Sequence, residues 1–479
     1  MDNIKDIINV PLEQGTLNSN VFKQIAEARE GHFVFLSKES KKSLEQYVNA
    51  KEPDIKLAKI VWKNLLIDSV SILKINDSRE KIYKDSEKEK SKLLSSFSAV
   101  RKASSYGIDE IDKYFDDFIE FESVLYGMDR HYRDHINHVL QVWAIGISLI
   151  SHTDFKLNDG FKLDQKTDFH FEIEESENKS KTIAKSEFWA MWTIIALCHD
   201  LGYPIEKTSQ INKQAKRIIS HFGNMQFTEL DYSFSIFNTF LVEKFLNIIS
   251  SKVYCVKIDN KKEEYHTSIQ TKYRDKLSKS LEDYRHGIFS SLLLFKNLTY
   301  FLETDYYVRD NALDIEDSKQ FYIRKEILRS IAGHTCPKMY HIDLNTLSFL
   351  LILCDELQES NRPKFDGFVH NYKEEVPSVE IKEFNMDNPQ KVHIVMTYRI
   401  EVKELKKFLV VNRYKNIHYL LRSAKEDYDR KIHFQWDISF LDKSYQYIFD
   451  SNKDSFEQLS VMEKENSEGS VFKNIELYD

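Results

Sequence analysis

The chain has 479 residues, a length that predicts two or three domains rather than one simple core. Apolar residues make up 42% and charged residues 30%, which excludes a disordered chain, and the scarcity of glycine (12) and proline (7) argues against a tight-turned all-β fold. A net charge of −8 argues against a surface that coats nucleic acid in general, although a local basic pocket is compatible with it.

The N-terminal segment MDNIKDIINVPLEQ lacks the basic start and the apolar core of a signal peptide. The apolar runs FWAMWTIIALC and LSFLLILC are shorter than the ~20 residues that a bilayer crossing requires. The cysteines are scattered without a CxxC pair, which favours reduced thiols; they are Cys198, Cys255, Cys336 and Cys354. We therefore predict a cytoplasmic protein without a membrane-spanning segment.

Helical patterns dominate the first three quarters of the chain. Residues 1–120 predict a helical region with polar surfaces, and residues 121–363 predict a helical core that begins with one long helix or two. Two insertions interrupt this core. The insertion near 154–185 is charged and unpatterned, which indicates a loop, whereas the one near 251–270 alternates around Asp259–Asn260 and predicts a hairpin.

The pattern changes after Pro363. The stretches SVEIKEF, KVHIVMTYRIEV and IHFQWDISF alternate as strands do, and an amphipathic helix is predicted between the second and the third. Residues 364–449 therefore predict a small α+β module, followed by a polar tail over 450–479. The predicted fold class is mainly α: a helical core with a small C-terminal α+β module and an inserted loop and hairpin.

The pair His199–Asp200 ends an apolar helix in the stretch ALCHDLGYP. About one such pair is expected by chance in a chain with 16 histidines. The structural alternative is a helix C-terminus at which the histidine meets the helix dipole and the carboxylate faces solvent. The pair alone does not decide between this alternative and a metal site.

Four further residues repeat the same pattern, each placing a metal-binding group on or at the end of an apolar helix: His138, His286, His334 and Asp355. An unpaired carboxylate within the apolar run LSFLLILCDELQE would cost several kcal/mol, so Asp355 requires a cation or strong hydrogen-bond donors. Imidazole and carboxylate together suit Mn, Fe, Zn or Ni. Six ligands without a thiolate exceed one structural zinc site and predict two metal ions with a bridging carboxylate.

This series of residues resembles the HD-domain metal-dependent phosphohydrolase superfamily, in its form with two additional histidines. The match covers roughly residues 125–365, and its layout is most similar to bacterial HD-domain hydrolases that split diadenosine tetraphosphate. These share a helix that begins HG, a helix end I..HT, and an aspartate helix that closes with NR, here Asn361–Arg362. More distant relatives are the HD-GYP phosphodiesterases, whose signature is absent, and the dNTP triphosphohydrolases, whose local histidine is replaced in the segment Tyr203–Ile205.

The resemblance implies an all-α catalytic core with two divalent ions, manganese, iron or similar. His138, His199, Asp200 and Asp355 would hold one ion, and Asp200 would bridge to a second held by His286 and His334. His135, three residues before His138, is the alternative ligand or a residue that orients one. His138 is favoured because Val142 and the small Gly146 follow it at the spacing of the family.

The same resemblance implies cations that bind the phosphates of a substrate. Lys207 is the first candidate, as a phosphate contact or a leaving-group acid beside the catalytic Asp200, and Arg362 and Arg285 follow it. The alternative for each of them is an ordinary surface charge, which is the favoured interpretation for Arg285.

The predicted function is hydrolysis of the phosphate bonds of a nucleotide, a nucleoside polyphosphate or a dNTP, by metal-activated water. The first alternative is a phosphodiesterase for cyclic nucleotides or single-stranded nucleic acid, although a nucleic-acid partner is disfavoured by the charge. The second is a non-catalytic nucleotide sensor. The C-terminal module predicts either a homo-oligomer or a regulatory protein partner. Enzymes of this elaborated kind can deplete nucleotides during phage infection, so antiviral defence is a further hypothesis.

Overall fold

The computed structural model describes most of the helical region and part of the C-terminal region. The described residues are 36–50, 55–77, 107–126, 135–152, 172–173, 182–183, 185–223, 236–258, 262–302, 312–313, 315–336, 346–358, 375–385, 390–399, 430–440, 443–452, 455–465 and 471–474. Within them the chain is mainly helical, with three separate sheets.

All of the helices in the described part of the chain end before residue 358. They are α1 Lys38–Val48, α2 Ile55–Asp77, α3 Ile108–Tyr126, α4 His135–His152, α5 Lys185–Cys198, α6 Tyr203–Ser220, α7 Ile236–Ser250, α8 Thr271–Glu282, α9 His286–Asn297, α10 Thr299–Leu302, α11 Ile315–Gly333 and α12 Leu347–Leu357. The strands are β1 Glu172–Ile173, β2 Thr182–Ile183, β3 Ser251–Ile258, β4 Lys262–Ile269, β5 Glu375–Asn385, β6 Gln390–Arg399, β7 Arg430–Phe440, β8 Lys443–Asn452, β9 Ser455–Glu465 and β10 Val471–Asn474.

Helix α5 lies at the centre of the helical region. Its residues are apolar on almost every side and are buried from Glu187 to Cys198, as expected of a helix surrounded by others. It contacts α2, α4, α11, α12 and α9. Any side chain at its C-terminal end is therefore surrounded by the helices on which the other candidate ligands lie.

Tryptophan side chains hold α5 against its neighbours through both packing and hydrogen bonds. Trp62 of α2 donates to the carbonyl of Leu197 at 2.8 Å, which satisfies a carbonyl at the end of α5. Trp192 donates to the carbonyl of Trp143 at 3.1 Å, and Trp143 donates to Thr193 at 2.9 Å. These two bonds fix the position of α4 along α5 at Trp143.

Glycine allows the closest approach of α4 to α5. A Cβ atom at Gly146 would lie 2.0 Å from the Trp192 ring, so only glycine fits at this crossing. The segment predicted to start at 121 contains the end of α3, which begins at Ile108, and α4, so the predicted boundary at 120/121 falls inside a helix; residues 127–134 lie outside the described part of the chain.

The hairpin predicted near 251–270 is present as β3 and β4, which pair antiparallel from Ser251–Ile269 to Ile258–Lys262. The charged insertion near 154–185 lies largely outside the described residues; the described part includes β1 and β2, a two-residue parallel pair.

The C-terminal region forms a six-stranded sheet in the order β10-β9-β8-β7-β6-β5. Among the described strands of this sheet only the β6–β7 pair is parallel, and residues 400–429 join these two strands in sequence. The helix predicted in that segment lies outside the described residues. One face of the sheet is apolar and buried, with Val392, Ile394, Met396, Ile432, Phe434 and Trp436 at alternating positions.

The sheet extends beyond the predicted boundary of the module at residue 449. Strand β8 ends at Asn452, and β9 and β10 continue the sheet to Asn474. The prediction of a polar tail over 450–479 was therefore wrong for most of that segment. Polar composition misled it, because antiparallel edge strands with one solvated face are polar at every second position.

Among the described helices, none combines the length and the apolarity that a bilayer crossing requires.

Candidate metal centre

The His199–Asp200 pair lies in a turn between α5 and α6 that is fixed from three sides. The Tyr203 amide donates to the carbonyl of Asp200 at 2.9 Å, which closes the turn. The hydroxyl of Tyr114 donates to the carbonyl of Leu201 at 2.5 Å, and the Gly202 amide donates to Ser290 at 2.7 Å. Burial raises the pKa of Tyr114, so its hydroxyl remains a donor.

Asp355 and two histidines form one side of the centre. The Nε2 atom of His138 lies 2.9 Å from Oδ1 of Asp355, and the Nε2 atom of His199 lies 4.0 Å from the same oxygen. The ligand atoms of these three residues all lie within 4.8 Å of one another. His138 and His199 are buried, whereas the Asp355 side chain keeps 31% of its surface exposed, so the centre opens toward solvent there.

Asp200 joins this side to a second one. Its Oδ2 atom lies 3.5 Å from Nε2 of His138 and 3.4 Å from Nε2 of His199. Its Oδ1 atom lies 3.2 Å from Nε2 of His286 and 3.9 Å from Nε2 of His334. The two oxygens of one carboxylate thus face two different histidine pairs, which is the arrangement of a bridging ligand.

Each of the four imidazole rings is oriented by an oxygen atom near its Nδ1. These oxygens belong to backbone carbonyls, an amide and a carboxylate, all of which accept a hydrogen bond from Nδ1–H. His199 meets the carbonyl of Ala196 at 2.8 Å, and His334 meets the carbonyl of Ile331 at 2.6 Å. His138 meets Oε1 of Gln358 at 2.5 Å, and His286 meets Oε2 of Glu206 at 2.7 Å. Each ring therefore keeps a proton on Nδ1 and directs its Nε2 atom, the potential metal ligand, toward the carboxylates.

The four Nε2 atoms converge on the two carboxylates and on one another. The Nε2 atoms of His286 and His334 are 3.2 Å apart, and the buried Nε2 atom of His199 has no hydrogen-bond partner among the described residues. Two lone pairs at this distance repel each other unless a proton or a cation lies between them. The donor set of four imidazoles and two carboxylates fits divalent transition metals, so the residues fit the metal ions that the sequence predicted.

The titration of the cluster shows the same demand for positive charge. Burial acts to lower the pKa of His286, but its bonds to Asp200 and Glu206 outweigh burial and raise it to about 10. Burial acts to raise the pKa of Asp200 and of Asp355, yet the adjacent histidines hold both pKa values well below the ordinary range. The carboxylates are therefore ionised, and a positive charge between them is favoured.

Thiols do not contribute to this centre among the described residues. Cys198 and Cys354 precede His199 and Asp355 directly, but burial raises the pKa of both thiols, which keeps them protonated. Neither belongs to a metal-binding group of the described residues, so these groups contain only nitrogen and oxygen ligands.

His135 and His138 occupy different environments. The Nδ1 atom of His135 lies 2.9 Å from Oε1 of Glu122, and its ring lies against Tyr203 with centroids 4.1 Å apart. The ring of His138 lies 6.3 Å away and faces the carboxylates. The structure therefore brings His138 to the centre and places His135 behind it, in contact with the turn that carries Asp200.

The cationic residues that the sequence selected lie at the start of α6 and α9. The Nζ atom of Lys207 lies 5.0 Å over the ring of Tyr203, which itself packs against His286. Arg285 directly precedes His286, and its buried Nε atom has no hydrogen-bond partner among the described residues. Burial acts to raise the pKa of Glu206, but the hydrogen bonds to His286 outweigh burial and lower it. The charge of Arg285 makes a smaller contribution in the same direction as these bonds. Arg362 lies outside the described residues.

Two residues that orient the candidate ligands, Gln358 and Glu206, were not predicted from the sequence. Gln358 follows Asp355 by three residues and Glu206 follows Asp200 by six, so both were near motif residues in the chain. The spacing of Gln358 could have indicated it, because residues three apart share a helix face. Glu206 had no such signal, since its partner His286 lies 80 residues away and meets it only in the folded protein.

Comparisons of the chain with protein-family models, curated proteins and solved structures gave no match.

Proposed function

We propose that the protein is a metal-dependent phosphohydrolase that acts on a nucleotide, with a catalytic centre of the kind found in HD-domain phosphohydrolases. The observation that carries the proposal is the convergence of four histidine Nε2 atoms on two ionised carboxylates. His138, His199 and Asp355 would hold one divalent ion, and His286 and His334 would hold the other, with Asp200 shared; the distances also group His199, Asp200 and His334 as possible ligands of one ion. When bound, such ions lower the pKa of a water molecule and neutralise phosphoryl oxygens.

The residues of the chain have separate tasks in this proposal. Asp200 keeps both histidine pairs at a fixed separation through its two oxygens. Gln358 and Glu206 hold His138 and His286 in the tautomer that leaves Nε2 free to bind. Lys207 and Arg285 would supply positive charge for the phosphates of the substrate, and Lys207 is also our candidate for the leaving-group acid.

Direct assay of a substrate panel tests this proposal. The purified protein with Mn²⁺ is incubated with dNTPs, NTPs, diadenosine tetraphosphate, cyclic dinucleotides and oligonucleotides, and the products are resolved by chromatography. Phosphate or nucleotide release from one class is expected, and the released product identifies the bond that is cleaved. The absence of any product from a protein shown to contain metal would contradict an enzyme and favour a nucleotide sensor.

The matched variants are Asp200→Asn and Asp275→Asn. Removal of the shared carboxylate is expected to reduce turnover by about 10³-fold or more, because both ions lose a ligand, while the far-ultraviolet circular dichroism remains that of a helical protein. Asp275 is exposed on α8, and its variant controls for the loss of one charge. Full turnover by Asp200→Asn protein after metal depletion would contradict the mechanism.

A further inference from the structure

Helix α6 begins at the candidate metal centre and ends away from it. Its first residue, Tyr203, donates its amide to the carbonyl of Asp200, and Glu206 on the next turn holds His286. Residues 203–208 are half-buried against neighbouring helices, whereas the side chains beyond Asn212 are mostly exposed. At 18 residues the helix is roughly 27 Å long. Its second half therefore covers about half of that distance, leading away from the centre.

The exposed half of α6 is strongly cationic. Lys213, Lys216 and Arg217 are all exposed, and the chain has no aspartate or glutamate from Lys207 to Gly223. Neither Lys213 nor Arg217 forms an ion pair with any residue that the structure describes. This charge is local, since the protein as a whole carries a net charge of −8.

The neighbouring helix has the opposite character. Helix α3, which contacts the start of α6, carries five exposed carboxylates: Asp109, Glu110, Asp116, Asp117 and Glu120. A polyanion near the centre would be repelled from α3 and attracted to α6. The charge distribution therefore defines one direction along which a long anionic ligand is favoured.

Two exposed apolar side chains follow these cations at the C-terminal end of α6, on a different face of the helix. Ile218 is 62% exposed and Phe222, one turn later, is 69% exposed. Phe222 is the aromatic residue of this pair, and proteins bind single-stranded nucleic acid by combining exposed aromatic rings, on which unpaired bases stack, with cations that meet the phosphates. In duplexes the base faces are covered, so a duplex would use the cations alone.

We infer that the exposed half of α6 binds single-stranded nucleic acid and directs it to the metal centre. This inference rests on the proposed function and narrows its substrate class to an oligonucleotide. Lys213 and Arg217 contact backbone phosphates, and Phe222 stacks with a base. The inference differs from the sequence-based expectation, in which the net charge of −8 disfavours a nucleic-acid partner. A net charge is a sum over the whole chain and does not show that one helix beside the site is basic.

Fluorescence anisotropy with a labelled 20-residue oligothymidylate tests the binding step, in EDTA so that no hydrolysis occurs. The wild-type affinity is expected to fall steeply as salt rises. The charge reversal Lys213→Glu/Arg217→Glu is expected to weaken binding by at least about tenfold and to flatten the salt dependence. Phe222→Ala is expected to weaken binding by about fivefold or more.

The matched control is Lys38→Glu/Lys42→Glu on α1, two exposed lysines with the same spacing and the same total change of charge. This variant is expected to bind within twofold of the wild type. Equal losses in both double variants would show that only the overall charge matters and would overturn the inference. A response to the charge reversal without any response to Phe222→Ala would assign a plain polyanion instead of a nucleic-acid strand.

Turnover of bis(p-nitrophenyl) phosphate with Mn²⁺ separates the two proposals. The α6 variants are expected to retain wild-type turnover of this small ester while losing oligonucleotide cleavage. Turnover of the ester without oligonucleotide binding would overturn the α6 inference and leave the phosphohydrolase in place. Binding through α6 without hydrolysis of any ester would reject the proposed function and leave the binding surface. A change of oligomeric state in Phe222→Ala, with unchanged oligonucleotide binding, would assign the surface to a protein contact and overturn the inference.

Discussion

At the scale of the residue, the centre depends on which atom of each imidazole carries the proton. All four rings meet an oxygen at Nδ1, and two of these oxygens are backbone carbonyls that the helix ends supply without any further side chain. The other two come from Gln358 and Glu206. A carboxylate partner makes an imidazole more basic than a neutral oxygen does. Removing the charge of Glu206 should therefore change the basicity of His286, and with it the strength of a metal bond at its Nε2 atom.

Glu206→Gln is expected to lower the affinity for Mn²⁺ by about 10- to 100-fold, because glutamine keeps the shape of the side chain but removes the negative charge that supports His286. Isothermal titration calorimetry of the metal-depleted protein measures the change. Glu282→Gln, at an exposed position of α8, is the control and should bind as the wild type does. An unchanged affinity in Glu206→Gln protein would show that this carboxylate does not support a metal ligand.

At the scale of the element, the centre exists because helix ends approach one another more closely than side chains normally permit. A Cβ atom at Gly202 would lie 2.2 Å from the carbonyl oxygen of His286. A Cβ atom at Gly287 would lie 2.6 Å from the carbonyl oxygen of Ile331 and 2.7 Å from Nδ1 of His334. Glycine at both positions lets the turn after α5, the start of α9 and the end of α11 meet.

Gly202→Ala is expected to destabilise the protein by about 1–3 kcal/mol, since the new methyl group would displace backbone rather than a flexible side chain. The same displacement should weaken Mn²⁺ binding, because it moves His286 relative to Asp200. Urea unfolding and metal titration measure the two effects.

Gly223→Ala is the contrasting variant. Gly223 has a φ of +85° and nothing within 4 Å of an added Cβ, so alanine costs only the backbone strain of about 1–2 kcal/mol. Its metal affinity should not change. Equal effects of the two substitutions on metal binding would contradict the steric explanation for Gly202.

At the scale of the whole molecule, the centre joins parts of the chain that are far apart in sequence. His138 and Gln358 are 220 residues apart, and the helices that carry the ligands surround the buried α5. A ligand that binds only when all these helices are in place stabilises the folded state by mass action. Metal should therefore act on the melting of the helical region and not only on local structure.

Removal of metal with EDTA is expected to lower the melting temperature by about 5 °C relative to protein with Mn²⁺ at 100 times its Kd, which corresponds to about 2.7 kcal/mol. Differential scanning calorimetry measures this shift. Asp200→Asn protein should show little or no shift, whereas Asp275→Asn protein should show the full shift. A melting temperature that does not respond to Mn²⁺ in the wild type would contradict a centre that binds metal in the folded state.

Local pattern was sufficient to predict much of the protein. The apolar run that precedes His199–Asp200 predicted a helix, and the alternation around residues 251–270 predicted the hairpin, because both patterns report directly which residues are buried. The polar residues that interrupt apolar helices selected the six side chains that the fold brings together.

Only the tertiary structure could decide between His135 and His138, since helical spacing places both on one face. It alone showed Glu206 and Gln358 behind the rings, and strands beyond residue 449. The physical reason is that hydrogen bonds between distant segments, and the pairing of half-polar strands, depend on which surfaces meet in space, and local sequence does not carry that information.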